Sequence, residues 1–178
     1  ILFNTRRLST LAGNILLLSK LDSQSIRPRR SRFRLDEQVR QCILALERRW
    51  TEKEVDFDVD LDSVDFTGYE GLLQHVWTNL IDNAVKFGPR GGLVQMRLVQ
   101  ETGSVLFTID NEGPVISEKD KARIFNKFYQ GDSSHESEGN GLGLALVRKI
   151  IAIHGGEVWL EDPASGGCRF AVRLPMET

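Results

Sequence analysis

Three stretches of this sequence hold residue types whose spacing could do chemistry. The first runs from Asn79 to Phe87 (NLIDNAVKF). At about 100° per residue, Leu72, Val76, Leu80, Ala84 and Phe87 define one apolar arc. Asn83 falls inside that arc and Asn79 at its edge, one turn earlier on the same face. Lys86 follows three residues after Asn83. Asparagine is a poor helix former, and a buried amide needs partners. Two such amides beside a lysine could hold a hydrated magnesium ion and its phosphates, because magnesium takes oxygen ligands and shares phosphates with the protein. The alternative is that both amides only cap neighbouring loops.

The second stretch is Gly139-Asn-Gly-Leu-Gly-Leu-Ala145, which opens a helix predicted to run to His154. Gly139, Gly141 and Gly143 let backbone approach a ligand closely. The helix N-terminus behind them offers free N–H groups and a favourable dipole for phosphate. A tight connection would look similar. The run follows a loop and not a strand, so the dinucleotide-binding fingerprint does not apply, and no Gly-Lys-Ser/Thr of a P-loop occurs. The third stretch is Phe107-Thr-Ile-Asp-Asn-Glu-Gly-Pro-Val-Ile116. A polar side chain at the end of a strand, followed by Gly113, can read a base edge, since Asp and Asn both accept from an exocyclic amine. By itself it also reads as a plain turn.

The elements that must position these residues follow from periodicity. Leu8, Leu11, Ile15, Leu18 and Leu21 give residues 1–22 one apolar helical stripe, which needs a partner surface. Ser23 to Arg32, with Pro28, reads as a linker. Helices are predicted over Leu35–Trp50, Gly68–Phe87, Glu118–Tyr129 and Gly141–His154. Strands are predicted over Val55–Leu61, Leu93–Glu101, Ser104–Asn111, Glu157–Leu160 and Cys168–Leu174, with a tight turn at Glu101–Ser104. Gln130 to Asn140 has no apolar residue and is expected to be a mobile surface loop. The mixed order with neighbouring hairpins predicts an α+β fold. It is a two-layer sandwich, a mixed and mostly antiparallel sheet covered on one face by helices.

The chain has 178 residues, 40% hydrophobic and 27% charged, with a net charge of −2 from 23 basic and 25 acidic side chains. That is the balance of a soluble globular protein with a real core. It argues against a nucleic-acid binder, which would need a basic excess. The basic run Arg27–Arg34 reads as a solvated linker, a phosphate or partner contact being the alternative. Cys42 and Cys168 form no metal or redox motif and are expected as reduced, partly buried thiols. His75, His135 and His154 lack metal-binding spacing. No apolar run reaches the roughly 20 residues of a membrane span. No signal peptide is apparent. Ile at position 1 leads us to expect a fragment of a longer chain.

In order, the boxes NLIDNAVKFG (Asn79–Gly88), DNEGPVI (Asp110–Ile116), RIFNKFYQ (Arg123–Gln130) and GNGLGLALVRKIIAIHGGEVWLE (Gly139–Glu161) resemble the catalytic and ATP-binding domain of sensor histidine kinases. That domain has the Bergerat ATP-binding fold, shared with type II topoisomerases, heat-shock-90 chaperones and mismatch-repair ATPases. The resemblance covers nearly the whole chain. Each box is weak alone, and the four in sequence are specific. Residues 6–22 resemble the end of the second helix of the family's dimerisation and phosphotransfer domain. The resemblance therefore implies two parts: residues 1–25 from that helix and 26–178 as the ATP-binding domain.

It also implies roles. Asn83 would ligate magnesium, with Asn79 beside it, and Lys86 would contact phosphate. Phe87 would pack near the nucleotide. Arg123, Phe125, Lys127 and Phe128 would lead into an ATP lid at residues 130–140, with Lys127 or Gln130 reaching the phosphates. Gly139, Gly141, Leu142 and Gly143 would close on them. The family's adenine-binding pattern is Asp-x-Gly-x-Gly. Aligning Gly113 with its first glycine places Asn111 at the aspartate and Val115 at the second glycine, with Ile116 in register. We prefer this to a register that uses Asp110, because Phe107 and Ile109 keep the inward phase of the strand. The departure lowers expected affinity more than it denies binding.

His135 precedes Glu136 but sits in the loop without apolar residues, and no phosphoacceptor pattern of a dimerisation helix surrounds any histidine. The chain is thus expected to bind ATP and magnesium without a histidine of its own to phosphorylate. The implied partners are a dimerisation and histidine-phosphotransfer domain of the same protein and a response regulator. Homodimers are expected only for the full-length protein, in the cytoplasmic part of a membrane-anchored sensor. Two other readings are an ATP-hydrolysing conformational module of the same fold and a degenerate partner-binding domain. The hydrolysing relatives carry a Glu where Asn79 stands.

Overall fold

The computed structural model describes residues 2–25, 28–131 and 141–177. Its centre is α4, Glu70–Phe87. Leu72, Leu73, Val76, Trp77, Leu80, Ile81, Ala84 and Val85 are all buried. They form two adjacent ridges, wider than a single stripe, so α4 is covered on several sides. It packs on the strand β5 (Ser104–Asn111) below, on α2 (Leu35–Ala45) at one side and on α6 (Gly143–Ile153) at the other. Trp77 meets Phe107 of β5 at 4.8 Å between rings, and its indole N–H donates to Gln38 Oε1 at 2.9 Å.

Five strands make the sheet, in the order β2-β4-β5-β7-β6. They are β2 (Asp56–Leu61), β4 (Leu93–Glu101), β5, β7 (Cys168–Pro175) and β6 (Glu157–Glu161). The pair β2–β4 is parallel and the other three pairs are antiparallel. Alternation places one set of side chains toward the helices. One row across the sheet reads Val59, Met96, Ile109, Phe170, Leu160, and the next reads Leu61, Leu98, Phe107, Val172, Val158. The opposite face is polar. Arg97 pairs with Asp58 at 2.6 Å, Asp110 with Arg169 at 2.7 Å, and the Arg173 guanidinium lies over Trp159 at 5.3 Å. The architecture is the expected two-layer α/β sandwich.

Three local expectations need correction. Ser31 and Arg32 are not linker: β1 (Ser31–Arg34) pairs antiparallel with β3 (Asp65–Gly68) in a separate ribbon. The basic run is thereby engaged. Arg32 pairs with Asp65 at 3.1 Å, and Arg34 donates twice to the buried Asp36, which also accepts from Arg40 and from the Val64 N–H. The Arg34 hydrogen bonds, foremost, hold the Asp36 carboxyl well below the usual carboxylate range. The helix expected over Leu35–Trp50 breaks at Leu46 into α2 and α3 (Glu47–Glu52). The Trp50 indole takes the Ile43 carbonyl at 2.8 Å, and the ring packs on Phe57 at 5.5 Å. Of Glu118–Tyr129 only α5, Glu118–Lys121, is helical. Phe128 has φ +61°, which ends any helix there.

The apolar stripe of α1, Leu2–Asp22, finds part of its partner surface. In the lower part of the stripe Leu18 and Leu21 are buried, and α1 contacts α6. Leu8 and Ile15 remain exposed. Among the described residues no helix is long and apolar enough to cross a membrane. Cys42 and Cys168 are free and buried, and burial pushes the Cys168 thiol up to about 12.

Candidate functional site

Three elements converge at the C-terminal half of α4. Asn79 and Asn83 lie half-buried on one side of that helix. Asn79 donates from Nδ2 to the His75 carbonyl at 2.7 Å, which fixes the amide and turns its oxygen outward. That oxygen meets the start of α6. A Cβ at Gly143 would lie 2.6 Å from Asn79 Oδ1, so only glycine lets the two helices approach this closely. The residue before it, Leu142, is buried in the core and has no side-chain oxygen to cap α6. The first N–H groups of α6 therefore stand beside the Asn79 amide, where an anion is favoured.

The end of α4 is fixed from below. Lys53 Nζ donates to the carbonyls of Val85 and Lys86, each at 2.7 Å, and burial lowers its pKa. Lys86 is half-buried, with its Nζ 4.9 Å from the Phe87 ring centre. Phe87 is partly exposed. Its carbonyl oxygen would lie 2.8 Å from a Cβ at Gly113, so the loop after β5 lies directly against the end of α4. Asn111 stands on the inner face in phase with Phe107 and Ile109 and is buried, its Nδ2 close to Gly113. Asp110 faces the other way, held by Nε and Nη2 of Arg169, each at 2.7 Å. Ile116 packs on the core, whereas Val115 is exposed.

The segment before residue 130 is held from both ends. Ser117 caps α5 by accepting from the Asp120 N–H at 3.1 Å, and Asp120 also accepts from the Tyr129 hydroxyl. The Tyr129 hydrogen bond is the main cause that lowers the Asp120 pKa. Phe125 meets Phe170 edge-on at 6.2 Å. Phe128, exposed, donates its N–H to the Gly141 carbonyl at 2.9 Å. This bond closes the base of the intervening loop. Gly141 has φ +69°, and a Cβ there would lie 2.6 Å from the Phe128 carbonyl carbon. Lys127 Nζ pairs with Asp22 of α1 at 2.9 Å. Gly139 and most of the expected lid, residues 132–140, lie outside the described residues.

Asn79 with Gly143, and Phe87 with Asn111 and Gly113, are thus brought together along the C-terminal half of α4, which also carries Asn83 and Lys86. Gly141 meets Phe128, Leu142 is core and Lys127 engages α1. Sequence reasoning missed Lys53, Asp22 and the Asp110–Arg169 pair. Only the acidic-basic composition of these segments hinted at them, because their partners are distant in sequence. His154 turns out to be a structural pin. Its Nε2 accepts from the Tyr69 N–H at 3.1 Å and its Nδ1 lies 2.8 Å from the Ile150 carbonyl.

Residues 68–178 match the family of histidine kinase-, DNA gyrase B- and HSP90-like ATPases, and the chain belongs to that family. More narrowly, it is a catalytic ATP-binding domain of the sensor histidine kinase type. It is 33% identical over 171 residues to the heme sensor protein HssS of Staphylococcus aureus, a match that covers 96% of this chain and 37% of that protein. The chain thus spans little more than a third of the length of that relative. Among solved structures it is similar to full-length ShkA in complex with AMPPNP. There the identity is 27%, the TM-score 0.83, and the match covers 96% of this chain and 36% of that one. It is also similar to histidine kinase ThkA in complex with the response regulator protein TrrA, at 25% identity and a TM-score of 0.78, covering 97% and 49%.

Proposed function

We propose that this chain binds ATP with magnesium at the end of α4 and presents the γ-phosphoryl group to a histidine outside the chain. Residues 1–25 would belong to the dimerisation and phosphotransfer helix, and 26–178 to the ATP-binding domain. In the longer protein, a membrane-anchored homodimer, the phosphoryl would pass from that histidine to an aspartate of a response regulator. The AMPPNP and TrrA complexes of its relatives support this assignment.

The observation that carries the reading is the contact of Gly143 with Asn79. It sets the N-terminal end of α6 beside Asn79, one turn from Asn83, so a triphosphate meets helix-end donors and amide oxygens together. The donor set fits a magnesium–phosphate group: neutral oxygen donors from Asn83 and Asn79, a nearby cation in Lys86, and, among the described residues, no thiolate or imidazole cluster. Asn83 would hold the ion, and Asn79 would hydrogen-bond its water or a phosphate. When bound, the ion neutralises charge on the phosphates. Lys86 adds a further positive charge. Asn111 accepts from and donates to the adenine edge, with Gly113 and Ile116 shaping the base pocket. Phe87 and Phe128 flank it. Gly139, Gly141 and Gly143 let the lid and helix backbone close.

Phosphoryl transfer asks mainly for positioning and charge neutralisation, which this set supplies without a nucleophile of its own. The acceptor imidazole is itself the nucleophile. Its nitrogen forms the new bond to phosphorus as the bond to the leaving ADP oxygen breaks. Calorimetry with a non-hydrolysable ATP analogue tests the reading. Wild type should bind more tightly with magnesium than without, and Asn83→Ala should lose that dependence while keeping the helix, since Ala is the better helix former. Equal affinity of both proteins in magnesium would overturn it.

A further inference from the structure

Asp22, the last residue of α1, is shared between two lysines. Its Oδ2 accepts from Lys127 Nζ at 2.9 Å, and its Oδ1 lies 3.2 Å from Lys149 Nζ. The lysines belong to different parts of the domain. Lys127 directly precedes Phe128, whose N–H closes the loop base on Gly141. Lys149 stands on α6, the helix whose first residue touches Asn79. Beside Asp22, Leu18 and Leu21 are buried in the core where α1 meets α6. One carboxylate therefore ties α1 to the segment before the lid and to the helix behind it. Lys127 first and Lys149 second lower its pKa, so it is charged at neutral pH.

We propose that Asp22 regulates the ATP site: it holds Lys127 on α1, and the phosphates of ATP compete with it for that ammonium group. The proposal rests on Lys127 as a phosphate contact. The physical basis is that a lysine carries one compact charge on a flexible stem and can serve one anion at a time. Bound triphosphate carries more negative charge than one carboxylate, so it draws Lys127 away from Asp22. By linkage the effect is reciprocal: α1 docked through Asp22 weakens ATP binding, and ATP loosens the docking of α1. The side chains of Asp22 and Lys127 are about half exposed, at 43% and 52%, so the coupling has the size of a surface ion pair.

The test is calorimetry of the 178-residue chain with a non-hydrolysable ATP analogue and, separately, with adenosine. Asp22→Asn should tighten the ATP analogue about two- to five-fold, leave adenosine unchanged, and lose its effect at high salt. Asp22→Glu, which can still reach Lys127, should restore the wild-type value. Lys127→Ala should weaken the analogue and abolish any further effect of Asp22→Asn. If Lys127→Ala weakens binding but Asp22→Asn does not tighten it, the competition is refuted while the phosphate role stands. If Asp22→Asn tightens binding equally with and without Lys127, the effect is long-range charge, and the competition is again refuted. If Lys127→Ala leaves the analogue's affinity unchanged, the phosphate role of Lys127 falls and the proposal with it.

Discussion

Replacing Gly141 with alanine separates two costs that Gly91 lets us measure apart. Both residues have nearly the same left-handed backbone, φ +69° at Gly141 and +71° at Gly91. Around Gly91 nothing lies within 4 Å of an added Cβ. Gly91→Ala therefore meets only the left-handed penalty for an L-residue, about 1–2 kcal/mol. At Gly141 the same Cβ also falls 2.6 Å from the Phe128 carbonyl carbon and 2.7 Å from its Cα. These are backbone atoms, which no rotamer change moves. The Phe128 N–H bond to the Gly141 carbonyl must then stretch or break, adding about 0.5–1.5 kcal/mol. Gly141→Ala should thus cost about 1.5–3.5 kcal/mol in all, at roughly 2–4 °C of melting temperature per kcal/mol for a chain of this size.

The extra cost at Gly141 should also appear in nucleotide binding. The chain relieves the clash by opening the loop base, and a bound nucleotide must close it again. Affinity for a non-hydrolysable ATP analogue should fall roughly two- to ten-fold in Gly141→Ala, as 0.5–1.5 kcal/mol requires, and stay unchanged in Gly91→Ala. Thermal melts and calorimetry on the two variants and wild type give both quantities. If the two variants melt alike and bind alike, the crossing of Phe128 and Gly141 does not shape the nucleotide site.

Three further outcomes are expected. Asp110→Asn should cost about 1 kcal/mol of stability through Arg169 with unchanged ATP-analogue affinity, whereas Asn111→Leu should abolish binding. The reverse pattern in denaturation and calorimetry would move the adenine contact to Asp110. Burial, the main cause, lowers the pKa of His154, so the folded state resists its protonation. The unfolded chain takes up that proton first, near its ordinary pKa of about 6.5, so stability should fall as pH drops below that value. Urea unfolding at pH 7.5 and 5.5 should show a smaller pH effect in His154→Ala, His75 leaving a remainder in the same direction. An equal effect in both proteins would refute this role of His154. Because Asn79 is an amide without a basic site, the chain should bind ATP and hydrolyse it far below the median enzyme turnover of about 10 s⁻¹. A steady-state rate of that order, abolished by Asn79→Ala, would favour an ATP-hydrolysing machine.

Whatever depends on neighbours a few residues apart was legible in the chain's residues alone. The apolar arc of α4 and the shared face of Asn79 and Asn83 follow from a period of 3.6, and both survive in Glu70–Phe87. The hairpin β4–β5 and the inward phase of Phe107, Ile109 and Asn111 follow from a period of two and a tight turn. The four boxes were legible for the same reason: each is a local device, such as a helix face, a strand end or a helix start. Tertiary structure alone decided what rests on pairing across long separations. The ribbon of Ser31–Arg34 with Asp65–Gly68 joins two charged four-residue strands too short for any periodic signal. The parallel placement of β2 beside β4 depends on a crossover through α4. The break at Leu46 arises because Trp50 finds both the Ile43 carbonyl and the Phe57 ring. The helix expected over Glu118–Tyr129 stops after one turn. There Phe128 gives its N–H to Gly141, a partner that no local pattern announces, and Lys127 beside it turns to Asp22, 105 residues away. A helical period says which side chains share a face. It does not say which carboxylate or carbonyl the fold will bring to that face, and at this site those distant partners set the geometry.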